Sequence, residues 1–162
     1  MPSSSTDELL FVYGTLRKDS NHPMHHLLAR NSTYFGEGRV RGEMYDLGRY
    51  PGIVLNAGSP EFAHGEVYGI KSDHASETLR ILDDYEGCGP ENPEPHEYIR
   101  QRVPVILVGG KGVVAWAYVL GTLPKGAARV PTGDYLAWVR RSREKAEANR
   151  FESEPPMKAT LN

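Results

Sequence analysis

The 162-residue sequence predicts an α+β fold, in which several short strands combine with two or three helices that do not alternate regularly with them. Short apolar runs bounded by glycine or proline recur along the chain and are typical of strands. Two longer segments instead carry apolar residues three or four positions apart, the spacing of one helix face. The 17 glycines and 12 prolines predict many turns between these elements.

The composition is that of one globular domain. A hydrophobic fraction of 39%, with nine tyrosines, four phenylalanines and two tryptophans, excludes a chain that is disordered throughout. The net charge of −2 gives no reason to expect nucleic acid or an anionic membrane as a partner. The single cysteine, Cys88, excludes an internal disulfide framework and a cysteine-rich zinc module. We expect a single domain at 9–150, between a flexible tail at 1–8 and a mobile tail at 151–162.

Nothing in the sequence indicates export or a membrane. No apolar stretch approaches the roughly 20 residues that a membrane-spanning helix needs. The first eight residues are rich in serine and slightly acidic, and they lack the basic start of a signal peptide. A free thiol favours a reducing compartment. We therefore expect a cytoplasmic protein without a membrane partner, and the sequence does not indicate its oligomeric state.

The first part of the chain is expected to be mostly strand. The apolar run Leu9–Tyr13, ended by Gly14, predicts a strand that is buried on both faces. A short helix is predicted at Asn21–Arg30, with Pro23 in its first turn. Thr33–Leu47 alternates irregularly around three glycines, which predicts two strand segments separated by bulges or a sharp bend.

Shorter strands follow. Tyr50–Gly52 predicts a turn, Ile53–Leu55 a strand after it, and His64–Ile70 a further strand. Tyr98–Val108 and Gly112–Leu120 predict a hairpin, because the sequence Gly-Gly-Lys between them is a strong turn signal.

The clearest helix is expected to begin at an N-cap of Ser72 or Asp73 and to stop at Gly87. Its apolar face is formed by Ala75, Leu79, Leu82 and Tyr85.

A loop and a last helix complete the expected elements. The loop Cys88–Glu97 holds three prolines and three glutamates and is expected to be exposed. The helix is expected to begin at Thr132 or Asp134 and to run to about Asn149. Its apolar stripe is Tyr135, Leu136 and Val139.

The loop after the first strand is a candidate binding site. A buried strand that runs into a glycine can direct the consecutive backbone N–H groups of Tyr13, Gly14, Thr15 and Leu16 into one concavity. Such a nest binds a carboxylate without a cationic side chain. The alternative is a strand that ends in an ordinary turn, which the composition by itself favours.

Glu86 is the candidate acid or base. It lies in the last turn of the predicted helix, at the negative end of the helix dipole, where a carboxylate is destabilised. Partial burial would raise its pKa further toward neutrality, which suits a general base. The alternative is an ordinary solvated acidic helix end, shared with Asp83 and Asp84.

Other residue clusters could form functional sites, but each is more commonly explained by an ordinary solvated or structural role. His22, His25 and His26 would need a further ligand to hold zinc, and solvated histidines are the more common case. Cys88 could be a nucleophile with His96 as its base, yet a bystander thiol is more common in a proline-rich loop. The glycines at 36–42 do not have the spacing of a dinucleotide site, and the basic residues at 140–145 alternate with glutamates as on a solvated helix face.

Four blocks of the sequence occur in an order that resembles a known family. They are Phe11–Leu16, Gly42–Gly48 with Tyr50–Gly52, Leu82–Gly87, and Tyr98–Arg100 with Ala115–Tyr118. Together they resemble the gamma-glutamylcyclotransferase-like family, which includes the plant AIG2-like proteins and the gamma-glutamylamine cyclotransferases. The resemblance covers about Leu9 to Leu120.

The resemblance implies a small mixed β-barrel flanked by helices, with a substrate cavity at one mouth. It also implies a reaction without metal or other cofactor, in which the α-amine of a gamma-glutamyl compound attacks its own side-chain amide. The products would be 5-oxoproline and a free amine. By the same resemblance, Glu86 would be the general acid/base, the backbone from Tyr13 to Leu16 would hold the glutamyl carboxylate, and Tyr118 would direct a hydroxyl toward the substrate.

Two questions stay open at this point. The leaving amine is not identified, because the substrate could be a gamma-glutamyl amino acid, a lysine-linked gamma-glutamyl amine or an acyl-amide intermediate of a biosynthetic pathway. The loop Cys88–Glu97, which is longer and more acidic than a minimal link, could act as a lid over that group. A binding module that keeps the barrel and recognises gamma-glutamyl or related small molecules without turnover is the alternative function.

Overall fold

The computed structural model describes residues 7–20 and 22–153, in which strands form a barrel and helices pack on its outer surface. The strands are β1 (Glu8–Val12), β2 (Ser32–Asp46), β3 (Pro51–Leu55), β4 (Phe62–Ile70), β5 (Tyr98–Leu107), β6 (Gly112–Leu120) and β7 (Ala128–Arg129). The α-helices are α1 (Pro23–Arg30), α2 (Ala75–Tyr85) and α3 (Tyr135–Ser153), and one turn of 3₁₀-helix lies at Lys18–Ser20.

Five strands close the barrel. β2 pairs with β4, β4 with β1, β1 with β6, β6 with β5, and β5 returns to β2. The β1–β6 pairing is parallel and the other four are antiparallel, so the barrel is mixed. β3 and the short β7 pair with the second half of β2. The α+β class and the small mixed barrel flanked by helices are therefore confirmed.

β1 is buried on both faces, as predicted, because it separates two apolar cores. Phe11 and Tyr13 belong to the core inside the barrel. Leu10 and Val12, on the opposite face, belong to the core between the barrel and the helices. Successive side chains of β1 therefore point alternately into the two cores. The loop that follows β1 lies close to both the barrel and α2.

α1 begins at Pro23, one of the first-turn positions that proline favours. The Nδ1 atom of His22 caps the helix by accepting the N–H of Met24 at 3.1 Å. The earlier start predicted at Asn21 lies outside the described residues.

β2 is one continuous bent strand, where the sequence predicted two segments. Its first part, Ser32–Arg41, pairs with β4, and its second part, Gly42–Asp46, pairs with β3. A bulge between Tyr34 and Gly36, with Gly36 at φ +125°, shifts the register within the part that pairs with β4. The irregular alternation therefore reflects this bulge together with a change of partner at Gly42.

The turn predicted at Tyr50–Gly52 is wrong. Pro51 and Gly52 already belong to β3, where they lie opposite Asp46 and Tyr45. The turn lies one step earlier and is closed by the N–H of Leu47, which donates to the Tyr50 carbonyl at 2.9 Å. Proline is tolerated here because it is the first residue of the strand.

The start of α2 also differs from the prediction. The N-cap expected at Ser72 or Asp73 is wrong, because a turn closed by the N–H of His74 and the Lys71 carbonyl precedes the helix. α2 begins at Ala75, and its N-cap residue makes no side-chain cap. The end at Gly87, with φ +77°, is confirmed.

The later elements follow the predictions closely. β5 and β6 form the expected hairpin, although the short β7 was not predicted. Asp134 caps α3 by accepting the N–H of Ala137 at 3.2 Å, and the helix continues to Ser153. Of the two predicted tails, Glu8 belongs to β1 and residues 151–153 to α3, while 1–6 and 154–162 lie outside the described residues. No helix in the described part of the chain is both long and apolar enough for a membrane crossing.

Candidate active site

The loop after β1 and the C-terminal end of α2 meet where β1 and β6 finish and β5 begins. They line a small, partly open cavity with a volume of about 40 Å³. The loop contributes Tyr13–Leu16, and Glu86 follows the last residue of α2. Strands and turns supply the rest of the lining: Phe11, Val12, Tyr50, Pro51, Tyr98 and Tyr118. The structure thus brings Glu86, the loop Tyr13–Leu16 and Tyr118 to one cavity.

The helix end positions Glu86. Its N–H donates to the Leu82 carbonyl at 2.8 Å, so its backbone continues the helical pattern. Gly87 then turns the chain out of the helix in a conformation that favours glycine. Within the described residues, no hydrogen bond or ion pair involves the Glu86 carboxylate. The cavity therefore contains a carboxylate without a protein partner.

Two effects raise the pKa of Glu86 to about 7. The larger is burial, which removes solvation from the charged form, and the smaller is the negative charge of Glu97. The pKa of Glu86 is raised, as the sequence-based expectation has it. The expectation named the helix dipole and burial as causes, and burial is the larger cause in the structure. Near neutral pH, such a carboxyl group both accepts and releases a proton readily.

The loop after β1 presents free backbone donors. The N–H groups of Gly14, Thr15 and Leu16 donate to no acceptor within the described residues. The carbonyl of Gly14 accepts the N–H of Arg17 at 3.0 Å, and the Leu16 carbonyl lies 2.8 Å from Nδ1 of His25. The loop is therefore held through its carbonyls, while three consecutive donors remain available to a ligand.

Close packing fixes the position of this loop. A Cβ atom on Gly14 would lie 2.9 Å from Cγ of Pro51, closer than side chains approach one another. Pro51 is held in turn, because its carbonyl accepts the hydroxyl of Tyr98. A larger residue at position 14 would therefore force Pro51 or the loop to shift.

The two tyrosines predicted for the site use their hydroxyls within the protein. Tyr13 donates to the carbonyl of Tyr118. Burial, together with the charge of Glu86, raises the pKa of Tyr13 well above its ordinary value, so it stays neutral. Tyr118 lines the cavity, but its hydroxyl donates to Oδ1 of Asp83 at 2.7 Å. The contact of this hydroxyl with a substrate, which the resemblance implies, stays a prediction.

Asp83 ties the end of α2 to the β5–β6 hairpin. Its Oδ1 also accepts the Nε–H of Arg100 at 2.7 Å, and its Oδ2 accepts an Nη–H of the same guanidinium at 3.2 Å. The Asp83 carbonyl accepts the N–H of Cys88 at 2.9 Å. These contacts hold the segment that contains Glu86 against the sheet.

Sequence reasoning assigned no role to several residues that complete the site. Tyr50, Pro51 and Tyr98 lie in blocks that carried the family resemblance, and this was the signal that could have identified them. An outer vestibule adjoins the cavity and shares Thr15, Tyr50, Glu86 and Tyr98 with it. Its further lining consists of Arg49, Tyr85, Gly87 and Glu97.

The other clusters do not assemble into sites. His22 uses Nδ1 to cap α1, and its Nε2 lies 3.4 Å from the hydroxyl of Tyr85. The described residues contain no group of three or more side chains suited to hold a metal ion. Cys88 lines neither the cavity nor the vestibule, and burial, followed by the charge of Asp83, raises its pKa to about 11. His96 contacts the Asn92 carbonyl at 3.1 Å.

Comparisons with known proteins identify the family of the chain. Residues 10–137 match the model of the family described as gamma-glutamyl cyclotransferase, AIG2-like. A Vibrio cholerae protein named "Putative gamma-glutamylcyclotransferase" is 31% identical over 129 residues, which cover 78% of this chain and 94% of that protein. A Methanocaldococcus jannaschii protein with the same description is 34% identical over 134 residues, covering 79% and 95%.

Solved structures show the same fold. The crystal structure of YkqA from Bacillus subtilis has a TM-score of 0.64 and 27% identity, over 85% of this chain and 43% of that one. The solution structure of ytfP from Escherichia coli has a TM-score of 0.54 and 29% identity, over 83% and 98%. A mouse AIG2-like protein, at 23% identity and a TM-score of 0.58 over 74% and 81%, shares the fold. The chain belongs to the gamma-glutamyl cyclotransferase, AIG2-like family.

Proposed function

We propose that this protein is a cyclotransferase that converts a gamma-glutamyl amine or amino acid to 5-oxoproline and the free amine. One observation carries the proposal: the partnerless carboxylate of Glu86, with a pKa of about 7, shares a cavity with three free N–H groups at Gly14–Leu16. A proton acceptor and a carboxylate-binding loop are the two features that this reaction requires.

The substrate supplies both reacting groups. Its α-amine attacks the γ-carbonyl carbon, a C–N bond closes the five-membered ring, and the original amide C–N bond breaks. Holding the chain in the folded conformation supplies several kcal/mol of the barrier reduction, because nucleophile and electrophile are already joined. No oxidant, reductant or cofactor is needed for these steps.

Glu86 accounts for the proton transfers. The substrate nitrogen begins as an ammonium group with three hydrogens and ends in the ring with one. The two protons pass to the departing nitrogen, which leaves as an ammonium group. A carboxyl group with a pKa of about 7 can take each proton and return it at neutral pH.

The loop and the vestibule divide the recognition of the substrate. The α-carboxylate of the glutamyl group binds to the N–H groups of Gly14, Thr15 and Leu16, beside Glu86. The leaving amine extends into the outer vestibule, where the aromatic rings of Tyr50 and Tyr85 and the charges of Arg49 and Glu97 surround it. The three classes of leaving group named above remain the candidates, and we place the reaction in the cytoplasm.

A binding module of the same fold would also use the free N–H groups. The test is 5-oxoproline release from a panel that contains a gamma-glutamyl amino acid, ε-(gamma-glutamyl)lysine, a gamma-glutamyl acyl-amide and simple gamma-glutamyl amines. Release from one class supports the enzyme and identifies the leaving group. Binding of these compounds by calorimetry without release of 5-oxoproline would favour the module, and neither binding nor release would contradict both functions.

A further inference from the structure

Glu66 is a fully buried carboxylate that the proposed reaction does not use. It lies in β4, opposite Val12, and its exposed fraction is 0%. Burying a charge is costly unless partners compensate it. Its position directly beneath the loop after β1 suggests a role in that loop.

Glu66 holds the two residues that follow the loop. Its Oε1 accepts the backbone N–H of Lys18 at 2.9 Å and the hydroxyl of Tyr68 at 3.0 Å. Its Oε2 lies 3.6 Å from Nε of Arg17, and this guanidinium also donates to Asp134 at 3.0 Å. One buried carboxylate thus binds the chain just after Leu16.

The geometry of this ion pair is poor for stability. Neither Nε of Arg17 nor Oε2 of Glu66 has a hydrogen-bond partner within the described residues. Replacing a buried ion pair by apolar side chains often leaves stability unchanged or improves it. Stability alone is therefore a weak reason for a buried charge at this place. Positioning of the loop after β1 explains the buried charge better.

We propose that Glu66 is a positioning residue, which holds the Gly14–Leu16 donors toward the cavity through Arg17 and the Lys18 amide. This inference rests on the proposed function, because the loop is taken to bind the glutamyl carboxylate. The loop would bind that carboxylate in the ground state and the transition state alike. Loss of Glu66 should therefore raise KM much more than it lowers kcat.

The test compares Glu66→Gln and Glu66→Leu with the wild-type protein. Glutamine keeps an acceptor for the Lys18 amide but leaves Arg17 without its buried counter-charge, whereas leucine removes both interactions. We expect KM for the best gamma-glutamyl substrate to rise at least about tenfold in Glu66→Leu and by a smaller factor in Glu66→Gln. We expect kcat to stay within about threefold, because Glu86 is unchanged.

Val103→Ala is the control for general destabilisation. Val103 is a fully buried side chain of β5 that lines neither the cavity nor the vestibule. This variant should lower the melting temperature without changing KM. A fall in melting temperature in both Glu66 variants with KM unchanged would overturn the inference and leave Glu66 a structural residue.

Amide hydrogen exchange gives a readout that does not depend on turnover. The amides of Arg17 and Lys18 should exchange faster in Glu66→Leu, by a smaller factor in Glu66→Gln, and at the wild-type rate in Val103→Ala. If wild type releases no 5-oxoproline but exchange at these amides rises, the proposed function fails and the structural effect of Glu66 on the loop stands. Unchanged exchange in Glu66→Leu would overturn the positioning role whatever the activity.

Discussion

The hydroxyl of Thr15 lies 3.2 Å from the hydroxyl of Tyr85, although the two residues are 70 positions apart in the sequence. This contact joins the loop after β1 to the last residue of α2. The residue after Tyr85 is Glu86, and Thr15 and its two neighbours carry the free N–H groups. One direct contact therefore links the loop that carries the free donors to the helix end that carries the Glu86 carboxylate.

Glu86→Gln tests the proton transfer. Glutamine keeps the volume of the side chain but cannot accept and return a proton, so kcat should fall by roughly 10²–10⁴-fold. Binding of a gamma-glutamyl ligand should change much less, because the glutamyl carboxylate binds the loop.

Cys88→Ala is the matched control for that variant, since a cysteine mechanism predicts the reverse order of damage. Its turnover should stay near that of wild type. The measurement is 5-oxoproline release together with melting temperature, and wild-type rates in a folded Glu86→Gln protein would end the mechanism.

The raised pKa of Glu86 predicts how stability depends on pH. The carboxyl group has a pKa of about 7 in the folded protein and an ordinary value of 4.5 when unfolded, so folding favours its protonated form. The stability from this preference is complete below about pH 4.5 and is lost as pH rises to about 7. Relative to wild type, Glu86→Gln should therefore gain melting temperature as pH increases across this window. A constant difference from about pH 4 to pH 8 would show that the pKa of Glu86 is not raised.

Glu97→Gln should shift the pH profile of activity. The charge of Glu97 is the second cause of the raised pKa of Glu86, so its removal lowers that pKa. The rise of kcat/KM with pH, which reports deprotonation of the base in the free enzyme, should move to lower pH. Glu91→Gln, which makes the same change of charge in the same loop, should leave the profile in place. Identical shifts in both variants would attribute the effect to net charge alone.

Gly14→Val should remove most activity while Thr15→Ser should be mild. A side chain at position 14 collides with Pro51 and must displace the loop, and displacement of about 1 Å can cost roughly 10²-fold in rate. Serine at position 15 keeps the hydroxyl that contacts Tyr85. Gly112→Ala is the control, because a Cβ there meets no atom within 4 Å. Equal losses in Gly14→Val and Thr15→Ser would argue against binding by the loop backbone.

Local signals in the sequence predicted the elements that carry the site. The apolar run ended by Gly14 predicted β1, and the spacing of apolar residues followed by Gly87 predicted the end of α2. The Gly-Gly-Lys turn predicted the β5–β6 hairpin. Each of these signals depends only on neighbouring residues, so the sequence is sufficient to predict the element.

Pairing between distant segments could not be predicted in this way. Pro51 read as a turn residue, because the strand that makes it part of the sheet is the bent end of β2. The spacing of apolar residues placed Tyr85 on the buried face of α2, yet its side chain is 38% exposed and its hydroxyl contacts the hydroxyl of Thr15. No sequence pattern pointed to Glu66, because its role depends on contacts with Arg17 and Lys18, which are distant in the sequence.

The sequence by itself determined the barrel-forming strands, the helix that ends just before Glu86 and the glycine that follows β1, because local backbone preferences and apolar periodicity set them. Only the tertiary structure decided that Glu86 lines one cavity with the loop that carries three free N–H groups, that its pKa rises to about 7 and that Tyr118 donates its hydroxyl to Asp83. The physical reason is barrel closure. Burial and the distances between charges exist only once β1, α2 and the β5–β6 hairpin lie against one another.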